Sequence, residues 1–140
     1  MDNDGQMRIL IVDDEPYNLI SLKIILEAAD KRGIMKDIIV DEAINGEKAY
    51  KKVKEGFTSQ KYQYGLIFMD CSMPIMDGYE ATDKIRKFQH THCLNQPMIV
   101  ACTGHTETEY IKKAWKHQMD EVVAKPANTS IISMILDQMI

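Results

Sequence analysis

The sequence predicts an α/β domain in which helices cover both faces of a parallel sheet. Five short apolar runs alternate along the chain with five segments of helical character. Such alternation is typical of βαβ units, whose crossover connections make neighbouring strands parallel. The chain has 140 residues and no Pro/Gly/Ser-rich linker divides it. We therefore expect one domain over residues 1–140, with a core that begins near Met7.

Five apolar runs are the predicted strands. The first, third and fourth are continuously apolar, as expected for strands that are buried on both faces of a sheet. In chain order the five runs are 9–12, 38–40, 65–69, 98–102 and 121–124.

Five segments are the predicted helices. In the first, residues 16–30, Pro16 suits the opening turn, where its missing N–H leaves nothing unpaired. Apolar residues then recur at helical spacing through Leu19, Leu22 and Leu26. The other predicted helices are 46–54, 78–87, 107–117 and 128–139. The stretch 89–97 is expected to be a loop.

Composition and charge exclude several classes of function. The net charge of −4 disfavours nucleic acid as a direct partner, because domains that bind duplexes are usually basic. No apolar run approaches the roughly 18 residues of a membrane span, and residues 1–6 lack the features of a signal peptide. Three cysteines without close pairing indicate reduced thiols. We expect a cytoplasmic domain without direct membrane contact.

Polar side chains follow four of the predicted strands. Asp13 and Asp14 come directly after the first, Asp70 after the third, Thr103 after the fourth and Lys125 after the fifth. In an open parallel sheet, ligands bind at the carboxyl ends of the strands. Taken singly, each residue has an ordinary explanation as a turn residue, a helix cap or a surface charge. Their coincidence at one edge of the sheet favours a shared pocket.

The residue types of this pocket suit phosphoryl chemistry. Clustered carboxylates repel one another unless a cation compensates, and Mg²⁺ commonly takes one or two carboxylates together with phosphate oxygens. Beside such an ion, Asp70 can act as a nucleophile toward phosphorus and form an aspartyl phosphate. Thr103 and Lys125 would then bind the phosphoryl oxygens.

Four segments together resemble the receiver domain of two-component response regulators and hybrid histidine kinases. They read IVDDE at 11–15, MDCSMPIMDG at 69–78, TG at 103–104 and KP at 125–126. Each is weak alone, but their order and places are specific, and the resemblance covers the chain from about Met7 onward. The run 73–82 is most similar to receivers of hybrid kinases and phosphorelays. The domain implied is either a stand-alone regulator or part of a membrane-tethered kinase. The fold implied is flavodoxin-like, with a doubly wound five-stranded parallel sheet of order 2-1-3-4-5.

The resemblance implies a phosphoacceptor and a metal site. Asp70 is the expected phosphoacceptor. Asp14 is expected to bind Mg²⁺ directly and Asp13 mostly through water. Asp70 itself and the backbone carbonyl of Ser72 complete the implied ligands.

The resemblance also implies a switch and a partner. Thr103 is similar to the switch hydroxyl that moves toward the phosphoryl group, and Lys125 to the lysine that pairs with that group. The Lys125-Pro126 bond is cis in this family. The implied function is to take a phosphoryl group from a phosphohistidine of a histidine kinase or histidine phosphotransfer protein. Self-phosphorylation and autodephosphorylation are then the only enzymatic activities, without conventional small-molecule turnover.

The residues leave two other functions open. An aspartate-nucleophile phosphatase of the haloacid dehalogenase type would carry two aspartates separated by one residue, whereas Asp13 and Asp14 are adjacent. Turnover of a generic phosphomonoester would distinguish it. A scaffold that is never phosphorylated is the other alternative, and treatment with acetyl phosphate would distinguish that one.

Two positions depart from the family pattern. Val122 stands where receivers usually carry Tyr or Phe, which puts the aromatic part of the switch in doubt. Gln118 stands where a glycine often precedes the fifth strand. We therefore expect output to rely on backbone shifts of residues 103–109 and of the fourth helix. Several other conspicuous residues are assigned no function: His90, His92, Cys93, Cys71, His105 and Trp115.

Overall fold

The computed structural model describes residues 6–105 and 107–138, in which five strands alternate with five α-helices. The strands are β1 (Gln6–Val12), β2 (Ile39–Ala43), β3 (Tyr62–Asp70), β4 (Met98–Thr103) and β5 (Glu121–Ala124). The helices are α1 (Pro16–Ala29), α2 (Gly46–Ser59), α3 (Gly78–Thr91), α4 (Thr108–Lys116) and α5 (Thr129–Gln138). A short 3-10 helix, Met35–Asp37, precedes β2.

The five strands form one parallel sheet in the order β2-β1-β3-β4-β5. This confirms the fold class and the strand order that the resemblance implies. The register aligns the carboxyl ends of the central strands, because Val12 lies opposite Met69 and Asp70 lies opposite Cys102. Residues that follow these strands therefore meet at one edge of the sheet.

Successive strand residues alternate between two separate cores. Leu10 and Val12 pack with buried residues of α2, α3 and α4. Ile9 and Ile11 pack with buried residues of α1 and α5. The helices therefore cover both faces, as predicted, because each central strand is apolar on both sides.

Helix α3 is longer than the sequence predicted, and residues 89–91 belong to it rather than to a loop. Tertiary contacts support this extra turn. Gln89 is buried and its amide donates to the Asn95 carbonyl at 2.7 Å, while Phe88 meets Tyr50 and Phe57 edge-on. The helices were predicted from apolar residues that recur at helical spacing. The last turn of α3 is polar and is held by tertiary contacts, so this pattern did not extend to it.

Other boundaries also differ from the prediction. Helix α2 continues past residue 54 to Ser59 and ends at Gln60, whose φ of 59° is left-handed. Strand β2 begins and ends later in the chain than predicted. It includes Asp41 and Glu42, and each of these carboxylates forms an ion pair with a basic side chain. The predicted end of the last helix, Met139, lies outside the described residues.

Gln118 occupies the position after α4 where a glycine is common. Its φ of 65° is left-handed, a conformation that glycine adopts without cost. Its carbonyl accepts two hydrogen bonds from Arg86, at 3.0 and 2.7 Å. These bonds hold the turn, so the departure from the family pattern is confined to the end of α4.

Among the described helices, none has the length and apolar character that crossing a membrane requires.

Candidate functional site

Four strands deliver the predicted site residues to one edge of the sheet. Asp13 and Asp14 follow β1, Asp70 ends β3, Thr103 ends β4 and Lys125 follows β5. The carboxylates of Asp13, Asp14 and Asp70 can each place an oxygen within 4.8 Å of the others. Asp13 and Asp70 are buried and Asp14 is exposed. The sequence therefore located this acidic pocket correctly.

Lys125 bridges two of the three carboxylates. Its Nζ lies 2.8 Å from Asp13 Oδ2 and 3.0 Å from Asp70 Oδ1. Its backbone N–H donates to the Thr103 carbonyl at 2.9 Å, which ties the end of β5 to that of β4. The peptide bond between Lys125 and Pro126 is cis, as the resemblance implies. One ammonium therefore offsets part of the charge of the acidic cluster.

Burial governs the protonation of Asp70. Removal from water raises the pKa of Asp70 to about 6; the Lys125 hydrogen bond opposes this shift and the charge of Asp13 adds to it. Burial alone would disfavour the Lys125 ammonium. Hydrogen bonds and charges from Asp13 and Asp70 outweigh this, so the pKa of Lys125 lies above its usual value. Near pH 7 the Asp70 carboxylate is therefore mostly ionised and is paired with a cationic Lys125.

The donor set of this pocket fits Mg²⁺. All three side chains offer carboxylate oxygens, the ligands that this hard ion prefers. Within the described part of the chain, Asp14 makes no side-chain hydrogen bond or ion pair, so its carboxylate is available to a hydrated ion. The Ser72 N–H points at Asp70 Oδ1 from 3.4 Å, and the Ser72 carbonyl as a ligand stays a prediction. Bound Mg²⁺ would offset the negative charge of the carboxylates, and also that of a phosphoryl group bound in the same pocket.

The loop after β3 fixes the backbone of Asp70. Gly78 opens α3 so close to this backbone that a Cβ would overlap with the Asp70 carbonyl oxygen. Its N–H donates to the Cys71 carbonyl at 3.1 Å. Asp77 caps the helix by accepting the Glu80 N–H at 2.9 Å. Glycine is therefore required at position 78, because any side chain would displace Asp70.

Thr103 is buried at the end of β4, beside the acidic pocket. Its Oγ1 accepts the His105 N–H at 3.0 Å. Among the described contacts, no hydrogen bond joins this hydroxyl to Asp70 or Lys125. The hydroxyl is thus held by its own loop, and its movement toward a phosphoryl group stays a prediction.

Two contacts near the site were not predicted from the sequence. Asn18 of α1 donates from Nδ2 to Asp13 Oδ1 at 3.2 Å. The ring of His105 stacks on Tyr110 of α4, with ring centroids 4.5 Å apart and an interplanar angle of 16°. The second contact links the Thr103 loop to α4. The contact between Asn18 and Asp13 could have been suspected only from the position of Asn18 in the first turn of α1, next to the acidic pair.

The residues to which the sequence assigned no function do not contribute to the acidic pocket through described contacts. Cys71 and Cys102 are buried in the two different cores, on opposite faces of the sheet. His92 packs against the rings of Phe57 and Phe88. Trp115 is exposed on α4. None of these side chains contacts the three carboxylates through a described hydrogen bond or ion pair.

A parallel sheet of this order with an acidic pocket and a bridging lysine at its carboxyl edge defines a signalling receiver. The family profile described as "Response regulator receiver domain" matches residues 9–136. The chain belongs to this family.

Individual relatives are of two kinds. The chain is 36% identical over 129 residues to histidine kinase CKI1 of Arabidopsis thaliana, covering 86% of this chain and 11% of CKI1. It is 35% identical over 132 residues to chemotaxis protein CheY of Halobacterium salinarum, covering 93% of this chain and 94% of CheY. The chain therefore spans a small part of one relative and nearly all of the other.

Two solved structures are also similar. The receiver domain of CKI1, complexed with Mg²⁺ and BeF3⁻, has a TM-score of 0.72 and 30% identity, covering 94% of this chain and 88% of that one. The co-crystal structure of the Saccharomyces cerevisiae histidine phosphotransfer protein Ypd1 with the receiver domain of Ssk1 has a TM-score of 0.76 and 26% identity. It covers 98% of this chain and 90% of that one.

Proposed function

We propose that Asp70 accepts a phosphoryl group from a phosphohistidine in a Mg²⁺-dependent reaction, and that phosphorylation switches the domain. The observation that carries this proposal is the placement of Asp70. It is buried at the end of β3, within reach of two further carboxylates and an ammonium. The similar CKI1 receiver was crystallised with Mg²⁺ and BeF3⁻, which supports the same chemistry here.

The chain's own groups suit each part of the transfer. An oxygen of the ionised Asp70 carboxylate forms the new bond to phosphorus as the bond from phosphorus to the histidine nitrogen breaks. The described contacts of Asp70 fall on Oδ1, which leaves Oδ2 as the attacking oxygen. Lys125 is already cationic and can transfer its contact from Asp70 to a phosphoryl oxygen. Positioning and charge neutralisation of this kind supply most of the catalysis in phosphoryl transfer.

The test is phosphorylation by acetyl phosphate with Mg²⁺, followed by intact-mass measurement. We expect the mass of one phosphoryl group to be added to the natural chain and none to Asp70→Asn, because an amide oxygen is a poor nucleophile. Asp77→Asn is the matched control, since Asp77 lies on the same loop but caps α3. An Asp70→Asn protein that is labelled like the natural chain would refute the assignment.

We infer that the phosphodonor is a histidine phosphotransfer protein that docks on α1. This helix begins at the acidic pocket and exposes Tyr17, Ile20 and Ile24 at helical spacing, with exposed fractions of 77%, 55% and 62%. An exposed apolar stripe of this kind marks an interaction surface. The Ssk1 receiver, which is similar in structure, was crystallised with such a partner.

A charged residue in this apolar stripe of α1 should weaken binding of the partner without affecting phosphorylation of Asp70. We expect Ile24→Glu to weaken binding of a phosphodonor protein about tenfold, as for the loss of a central apolar contact. Acetyl phosphate should still label the variant fully. Trp115→Glu is the control, because Trp115 is equally exposed but lies on α4, across the sheet. If both variants weaken binding equally, α1 is not the docking surface.

Output should not depend on the side chain at position 122. Val122 is half-buried, lies opposite Ala101 on β4 and packs into the core under α2, α3 and α4. Its stiff, short side chain cannot swing between pocket and surface. We expect Val122→Ala to keep the effect of beryllofluoride on partner affinity within about threefold, or about 0.6 kcal/mol. Thr103→Ala, measured in the same way, should lose that effect; a comparable loss in Val122→Ala would assign the switch to position 122.

A further inference from the structure

The first turn of α1 reaches back to the acidic pocket through Asn18. The helix begins at Pro16, and the Asn18 N–H donates to the Glu15 carbonyl at 3.0 Å. This turn brings the Asn18 amide to Asp13, where Nδ2 donates to Oδ1 at 3.2 Å. Asn18 is outside the acidic, hydroxyl and lysine positions that define the site.

Asp13 is the most constrained carboxylate of the pocket. Its Oδ1 accepts from Asn18 and from the Glu15 N–H at 2.9 Å, and its Oδ2 accepts from Lys125 at 2.8 Å. Its backbone N–H donates to the Ala43 carbonyl at 3.1 Å. Among the described contacts, removal of the Asn18 donor would leave Oδ1 with the Glu15 N–H alone and Oδ2 with Lys125, so the carboxylate would be held by two donors instead of three.

The chemistry of an amide suits this position. Asn18 contributes a hydrogen bond to an ionised acceptor, which is stronger than a bond between neutral groups. It does so without a formal charge. A lysine here would compete with a metal ion for Asp13, and an aspartate would add a fourth carboxylate to a pocket that already holds three.

We propose that Asn18 is a positioning residue of the divalent-cation site: its amide sets the orientation of Asp13, so that Oδ2 stays with Lys125 and the carboxylate meets a metal-bound water in one fixed geometry. This inference rests on the proposed Mg²⁺ site and adds a residue to it. Outer groups that orient metal ligands typically change metal affinity by 10–100-fold when they are removed. A single amide at the surface should act at the lower end of that range.

The experiment is calorimetric titration of the full chain with Mg²⁺ alone. Asn18→Leu keeps the branching of the side chain at Cγ and removes the donor. We expect its dissociation constant for Mg²⁺ to rise about tenfold, while its melting temperature without Mg²⁺ changes little. Ser21→Ala is the matched control, because Ser21 lies one turn further along α1 and lines the same cavity beside Asp13. Its affinity for Mg²⁺ should match that of the natural chain.

Each outcome separates this inference from the proposed function. Loss of Mg²⁺ binding in Asp14→Ala, with normal binding in the natural chain, establishes the site itself. Against that background, an Asn18→Leu affinity within twofold of the natural chain overturns the role of Asn18. Failure of the natural chain to bind Mg²⁺ overturns the metal site and the inference together. If Asn18→Leu does not fold, Asn18→Ser decides, because its hydroxyl is too short to reach Asp13 as the amide does.

Discussion

Asp70→Asn is expected to make the metal-free protein more stable at pH 7, although it abolishes phosphorylation. Burial raises the pKa of Asp70 to about 6 even with Lys125 3.0 Å away. The folded state therefore disfavours the ionised carboxylate. One pKa unit corresponds to about 1.4 kcal/mol, so ionisation of Asp70 costs the fold up to about 3 kcal/mol. Asn has the same shape and no charge, and Lys125 retains its contact with Asp13.

The pH dependence of this gain follows from the direction of the shift. In the unfolded chain Asp70 ionises near its ordinary pKa of about 4, and in the folded protein near 6. Below about pH 4 Asp70 is protonated in both the folded and the unfolded state, so it does not lower the free energy of unfolding. The cost grows as the pH rises from 4 to 6 and is then constant. The advantage of Asp70→Asn should therefore vanish near pH 4 and be full above pH 6.

Urea unfolding in the presence of a chelator measures this difference at pH 4, 5, 6 and 7. Asp137→Asn is the control, because it removes an exposed carboxylate of α5 outside the pocket. Its stability should follow that of the natural chain at every pH. Saturating Mg²⁺ should reduce or reverse the gain, because the ion stabilises only a chain that binds it. An Asp70→Asn protein that is less stable at pH 7 would show that the pocket favours the ionised carboxylate.

The sequence was sufficient for the sheet and for the acidic pocket, for one physical reason. Strands buried on both faces must be continuously apolar, so the cores of β1, β3 and β4 are visible as runs such as ILIV at 9–12. Once the strands are placed, parallel pairing brings every carboxyl end to one edge. Asp13, Asp70 and Lys125 therefore came together without knowledge of a single side-chain contact.

Residues whose role depends on tertiary polar contacts were not visible. Asn18 and Arg86 are polar residues within helices, where the sequence pattern equally permits ordinary surface residues. Gln89 lacks an apolar period but is buried through its hydrogen bond to Asn95. Hydrogen bonds between distant segments leave no period in the sequence, because one well-placed partner suffices. For this reason the last turn of α3 and the anchoring of α4 were found only in the structure.

Arg86 is expected to be the polar residue whose loss destabilises the fold most. It is buried on α3 and its guanidinium makes five hydrogen bonds to the segments before β4 and β5. Two go to the Gln118 carbonyl, one to the Pro97 carbonyl at 2.7 Å and one to Asp120 at 2.8 Å. One arginine thus fixes the end of α4 and the start of β4 onto α3.

Arg86→Met should lower the free energy of unfolding by about 3 kcal/mol. Methionine restores most of the apolar volume, but the carbonyls of Pro97 and Gln118 lose their donors, and removal of one partner from a buried network costs about 3–5 kcal/mol. Asp120 is half-exposed and retains the Ile99 N–H at 2.8 Å, which places the effect at the lower end. This is a large fraction of the 5–15 kcal/mol typical of a domain.

Urea unfolding with an unchanged m value would show that stability alone has changed. Lys87→Met is the matched control, because Lys87 is the exposed neighbour on α3, and its effect should stay within about 0.5 kcal/mol. The fold of Arg86→Met should persist at low temperature, and acetyl phosphate should still label Asp70, because Arg86 contacts none of the three carboxylates of the pocket. A loss no larger than that of Lys87→Met would mean that water replaces the guanidinium at little cost. The end of α4 would then be held by the packing of Ala114 and Met119, both of which are buried.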